Sequence, residues 1–123
     1  MTVREAITRL DNLMRNTYTD EDKITWLSRA DWMVKRHIVD RHEGGAAVAF
    51  NGYTAEDMDA ELIAKPPHDE MYIRFLEAQI HYNNGEYDRY NNAIMMYQAV
   101  YDDYAAMYTM EHLPISAAPR FKF

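Results

Sequence analysis

The chain has 123 residues, 48% hydrophobic and 27% charged, which fits one domain and excludes global disorder. It has no cysteine, which excludes disulfides, thiolate chemistry and cysteine-ligated metals and fits a reducing compartment. A net charge of −7 argues against gripping nucleic-acid phosphates, and no apolar run is long enough to span a bilayer.

A helical pattern starts at Thr2, so no signal peptide is expected. Residues 2–15 carry Val3, Ala6, Ile7, Leu10, Leu13 and Met14 on one helical face, and Thr2 with Glu5 forms a capping box. Glu5 and Arg9 sit one turn apart and are placed to pair. Thr19 caps a second helix running to about residue 42, with Asp20, Glu21 and Asp22 complementing its positive end. These acids read as capping rather than acid–base catalysis, because nothing around them suggests a pocket. Ile24, Leu27, Ala30, Val34 and Ile38 line the core side, Trp26 and Met33 form a neighbouring stripe, and Asp31 is placed to pair with Lys35. Gly44-Gly45 ends the helix. His37 and His42 are five apart, which turns them away from each other, so no metal site is expected. His68, His81 and His112 are scattered.

The insert, residues 44–67, is the one non-helical stretch. Val48-Ala49-Phe50 and Tyr53 flank Asn51-Gly52, which predicts a small β-hairpin or an exposed loop. Asp57, Asp59 and Glu61 alternate without the glycine and distant glutamate of an EF-hand. Pro66-Pro67 leads into a third helix over 69–82, with Met71, Tyr72, Phe75, Leu76, Ala78, Gln79, Ile80 and Tyr82 on a broad face. Asn83-Asn84-Gly85 allows only an antiparallel return.

The last helix spans 86–112, about 40 Å at 1.5 Å per residue. Tyr87, Tyr90, Ile94, Tyr97, Tyr101, Tyr104 and Tyr108 recur in steps of three and four. Ala93, Met96, Val100, Met107 and Met110 run beside them. Two apolar stripes on one long helix predict a central post for the other elements. The tyrosines read first as core and second as a partly wet subunit interface. Asp103 falls on the second stripe and requires a basic partner or solvent. Residues 113–123 form a tail in which Pro114 and Pro119 forbid a helix. Its end, Arg120-Phe121-Lys122-Phe123, alternates basic and aromatic residues, as a frayed terminus or as a segment that docks on a partner.

The expected fold is all-α: about four helices over 1–112, a hairpin or loop insert between helices 2 and 3, and an extended tail over 113–123. No catalytic constellation and no cofactor motif is visible.

Several short runs carry a resemblance: Tyr18-Thr19, Lys23-Ile24-Thr25-Trp26-Leu27, Phe50-Asn51-Gly52-Tyr53, His68-Asp69-Glu70-Met71-Tyr72, Glu77-Ala78-Gln79-Ile80 and Asn84-Gly85-Glu86-Tyr87 before Tyr90-Asn91-Asn92. In these runs, and in the order of its elements over about residues 1–110, the chain resembles the head–tail connector proteins (adaptor or head-completion proteins) of long-tailed phages. The resemblance implies a non-enzymatic ring homo-oligomer at the head–tail junction of the virion, built in the host cytoplasm. It implies a portal protein on one side, a downstream head-completion or tail protein on the other, and DNA passing through without sequence-specific binding or membrane contact. It points to partner contacts at Phe50, Asn51, Gly52 and Tyr53 and at Arg120, Phe121, Lys122 and Phe123, and it carries over no catalytic residue. The acidic charge suits a surface past which DNA slides. The alternative is a small helical protein-binding or regulatory module without catalysis. An enzyme would need a pocket around Asp31, His37 or Asp103.

Overall fold

Two threonines start the two N-terminal helices. In the computed structural model, which describes residues 1–115, Thr2 caps α1 (Val3–Leu13) and Thr19 caps α2 (Asp20–His37). The Thr2 hydroxyl accepts from the Glu5 N–H at 3.1 Å, and the Glu5 carboxylate accepts from the Thr2 N–H at 2.8 Å. That backbone N–H holds the Glu5 carboxyl below its ordinary range. Glu5 is thereby engaged in the cap, and the expected Glu5–Arg9 pair does not form. Arg9 instead reaches across to Glu70 at 3.5 Å.

The second helix is shorter than its pattern. It ends at His37, Ile38 leaves helical geometry, and a 3-10 turn follows over Val39–Arg41. Gly44, at φ +84°, then turns the chain into a second 3-10 turn, Gly45–Ala47. Gly45 is required by packing: a Cβ there would lie 2.1 Å from the Val39 carbonyl oxygen.

The hairpin of α3 (Glu70–Asn83) and α4 (Tyr87–Glu111) forms as expected, closed at Gly85 with φ +77°. The central element, however, is α3 rather than α4. Met71, Tyr72, Ile73, Phe75, Leu76, Ala78 and Ile80 are all buried, which takes more than half of the circumference of the helix and leaves Glu70, Arg74 and Glu77 on the remaining side. Each fully buried Ile or Leu among them contributes about 1.5–3 kcal/mol. Accordingly α1, α2 and α4 all pack on α3. The unbroken α4 buries one stripe, Ala93, Tyr97, Tyr104 and Tyr108. Of the expected second stripe only Ala93 is core: Val100 and Met107 are half-buried, while Met96 and Met110 are exposed. Tyr87, at the start of the tyrosine row, is exposed too.

The buried tyrosines are packed ring to ring. Tyr97 meets Phe75 at 5.1 Å, Tyr104 meets His68 at 5.6 Å and Tyr108 at 5.8 Å, and Tyr108 stacks on His112 at 3.9 Å. Burial pushes the Tyr97 and Tyr104 hydroxyls well above the ordinary phenol value of 10.0. A folded pKa above the unfolded one gives stability that is complete below pH 10 and lost above it. Titration to alkaline pH should therefore unfold the protein cooperatively, with the share of phenolate absorbance that comes from the buried tyrosines rising together with the loss of helical circular dichroism rather than before it.

The one fully buried carboxylate among the described residues joins the helices to the insert. Asp31 of α2 points inward beside Leu27 and Val34, and its two oxygens accept from the hydroxyls of Tyr72 on α3 and Tyr53 in the insert. It also accepts from the Ile63 N–H at 3.0 Å, and the Tyr72 oxygen accepts from the Ala64 N–H at 2.8 Å. The expected Asp31–Lys35 pair is absent, because Asp31 faces the core. Lys35 turns to Asp40 and to the Gly45 carbonyl. Burial raises the Asp31 pKa, while its three hydrogen bonds and the charge of Lys65 pull the other way.

Substituting Asp31→Ala strands two buried hydroxyls and an N–H, and should cost about 2–4 kcal/mol in urea unfolding. A carboxyl whose folded pKa lies above 3.8 favours the fold most at low pH and loses that contribution as pH rises through the folded value. The stability advantage of wild type over Asp31→Asn should therefore shrink as pH is raised from about 4 to 7 in a series of unfolding curves.

No strand forms among the described residues. The insert is instead tied to α1: the Val3 N–H donates to the Ala60 carbonyl at 3.0 Å, Arg4 to Met58 at 2.8 Å, and Leu62 to Met1 at 3.0 Å. Leu62 and Ala64 are buried beneath these contacts.

Candidate functional site

Phe50 to Tyr53 is neither a β-hairpin nor a free loop. Val48 to Phe50 is too short to pair as a strand, and Gly52, at φ +86°, folds the following residue back onto α2. There the Tyr53 N–H donates to the Ser28 hydroxyl at 2.6 Å, while its own hydroxyl reaches Asp31. The Phe50 ring packs edge-on between Trp32 and Tyr53, each at 4.9 Å. Phe50, Gly52 and Tyr53 are half-buried and only Asn51 is exposed. The turn serves first to hold the insert on α2, and it leaves one edge of an aromatic cluster at the surface.

That edge continues along α2. Trp32 remains 39% exposed, and Arg29, Trp32, Met33, Arg36 and His37 line an open groove of about 390 Å³. Arg29 and Arg36 stand one turn either side of Trp32, on the face opposite Leu27 and Val34. Neither arginine has an ion-pair partner among the described residues. Trp32 was missed in the sequence, where Trp26 drew the attention. The signal was there, in an aromatic residue between two arginines on the polar face.

The outer face of α4 is the opposite in charge. Asp88, Met95 and Asp102 follow one another at intervals of two turns, with Ala99 and Ala106 between and beyond them. Met95 is 69% and Met110 is 88% exposed. Asp103, at the edge of this face, is 77% exposed and accepts from His68 Nε2 at 3.0 Å, so it has both a basic neighbour and water.

The residues that could reopen an enzymatic reading do not converge. Asp31 is sealed in the core, His37 is exposed on α2, and Asp103 lies on α4. His42 is buried, with Nδ1 against the Ile38 carbonyl at 2.6 Å and Nε2 against the Thr109 hydroxyl at 3.0 Å. Among the described residues no group of three or more His, Cys, Asp and Glu could hold a metal ion. No described helix is long and apolar enough to cross a membrane. Arg120, Phe121, Lys122 and Phe123 lie outside the described residues. The described chain ends at Ile115, whose N–H donates to the Arg41 carbonyl at 2.8 Å.

Comparison with family models, with characterised proteins and with solved structures finds no match to this chain.

Two glycine substitutions separate strain from packing, one in the insert and one in the turn between α3 and α4. A Cβ on Gly52 would lie 3.3 Å from the Ser28 hydroxyl and 3.6 Å from the Trp32 indole nitrogen, whereas a Cβ on Gly85 meets nothing within 4 Å. Both backbones are left-handed, which costs an alanine about 1 kcal/mol. Gly52→Ala should lower the thermal midpoint more than Gly85→Ala, and only Gly52→Ala should perturb tryptophan fluorescence.

Proposed function

We propose that the chain is a structural subunit of a phage head–tail connector ring, seated below the portal and extending the DNA channel toward the tail. The reading began with the runs of residues that resemble connector proteins. The observation that supports it most is the pair of unlike outer faces on α2 and α4, one basic and aromatic, the other acidic and methionine-rich. A ring subunit needs two different patches, one for each neighbour. Exposed Trp, Met and Arg in a small domain are the residue types on which protein interfaces rely. The charge of −7 suits a channel component, since an acidic wall repels the phosphates that slide past it. In this reading the portal binds on one side of the ring, a downstream head-completion or tail protein binds on the other, and the subunit works in the virion without a cofactor.

Mixing the protein with its portal, followed by electron microscopy and light scattering, tests this. The expected outcome is a ring of subunits on one end of the portal. Absence of any ring or portal complex across salt and concentration overturns the reading. A discrete complex of low stoichiometry with one partner protein would favour a helical binding module instead.

A further inference from the structure

We infer that the Arg29–Trp32–Arg36 face of α2 binds the Asp88–Met95–Asp102 face of α4 on a second copy of this chain, head to tail. This rests on the ring reading and names the surfaces through which neighbouring subunits meet.

Charge complementarity carries the assignment. Arg29 and Arg36 lie two turns apart, roughly 10 Å, with Trp32 and Met33 between them. Asp88 and Asp102 lie four turns apart, roughly 21 Å, with Met95 midway, so Arg29 and Arg36 meet them by splaying their long side chains outward from Trp32. Neither the two arginines nor Asp88 and Asp102 take part in an ion pair within the described chain. Trp32 and Met95 supply the apolar contact at the centre of each face.

The same charges decide the symmetry. Two α2 faces brought together would set arginine against arginine, and two α4 faces would set aspartate against aspartate. A two-fold dimer through either face alone is therefore disfavoured. Both helices pack on α3, and these faces turn away from it, so they are separate surfaces of one body. An interface between unlike faces repeats from copy to copy, and it closes into a ring when the rotation allows.

The test is charge reversal followed by mixing. One variant carries Arg29→Glu and Arg36→Glu, the other Asp88→Lys and Asp102→Lys. All four side chains are exposed, and circular dichroism checks that each variant keeps its helices. Sedimentation over a concentration series should show wild type associating, and less so as salt is added. Each variant alone should associate at least about tenfold more weakly, because like charges then meet at every junction. Mixing the variants in equal amounts restores opposite charges at every junction of an alternating assembly, so association should return. Closed rings in the mixture should contain only even numbers of subunits. The inference is overturned if either variant associates as wild type does, or if the mixture fails to recover. It is equally overturned if wild type stays monomeric up to about 1 mM, the weak end of specific association. In each of those cases the portal experiment still decides the ring reading separately.

Discussion

A carboxylate removed from water must have its charge stabilised by protein groups or be protonated, and Asp31 sets that demand at the centre of this molecule. Tyr72 answers from α3, Tyr53 and the Ile63 N–H from the insert. One side chain thus fixes three segments against each other, and the Ala64 N–H on the Tyr72 oxygen adds a fourth contact. Without this node the insert would still be held by its hydrogen bonds to the start of α1, by the Ser28 and Lys35 contacts and by the burial of Leu62 and Ala64. Phe50 depends on it as well. The Phe50 ring rests on Tyr53, and Tyr53 is placed by Asp31, so the aromatic edge beside Trp32 inherits its position from the core.

Much of the helical frame was legible because its causes are local. Thr2 with Glu5 and Thr19 with Asp22 act within three residues of themselves, and Asn84-Gly85 leaves no room for anything but a tight return. Of the tyrosine row, Tyr97, Tyr104 and Tyr108 are buried and Tyr101 is half-buried, as a period of three and four requires over that part of the helix. What escaped the sequence is non-local. A local rule puts Asp31 with Lys35, but its partners are 22, 32 and 41 positions further on, and no spacing announces them. Asn51-Gly52 says where the chain turns. It does not say that the turn folds onto Ser28 instead of starting a strand. The central place of α3 was hidden for a related reason. Its apolar residues cover more than half of the helix, which reads as a broad face and does not say that three other helices pack on it.

The candidate surface follows from the same division. With the other helices packed on α3, α2 and α4 each keep one face for the core and one for solvent. On α2 the solvent face sets Trp32 between Arg29 and Arg36, and on α4 it sets Met95 between Asp88 and Asp102. That is more than solubility needs and is the composition of a contact surface.

The methionines of α4 give the protein a chemical vulnerability that its core does not share. Met95 and Met110 stand in water, where peroxide can convert each thioether to a sulfoxide, while Met71 is sealed inside α3. Mild oxidation would therefore leave the helices intact and turn the outer side of α4 from greasy to polar. An ageing preparation could keep its full spectroscopic signature and yet have lost the apolar character of the outer face of α4.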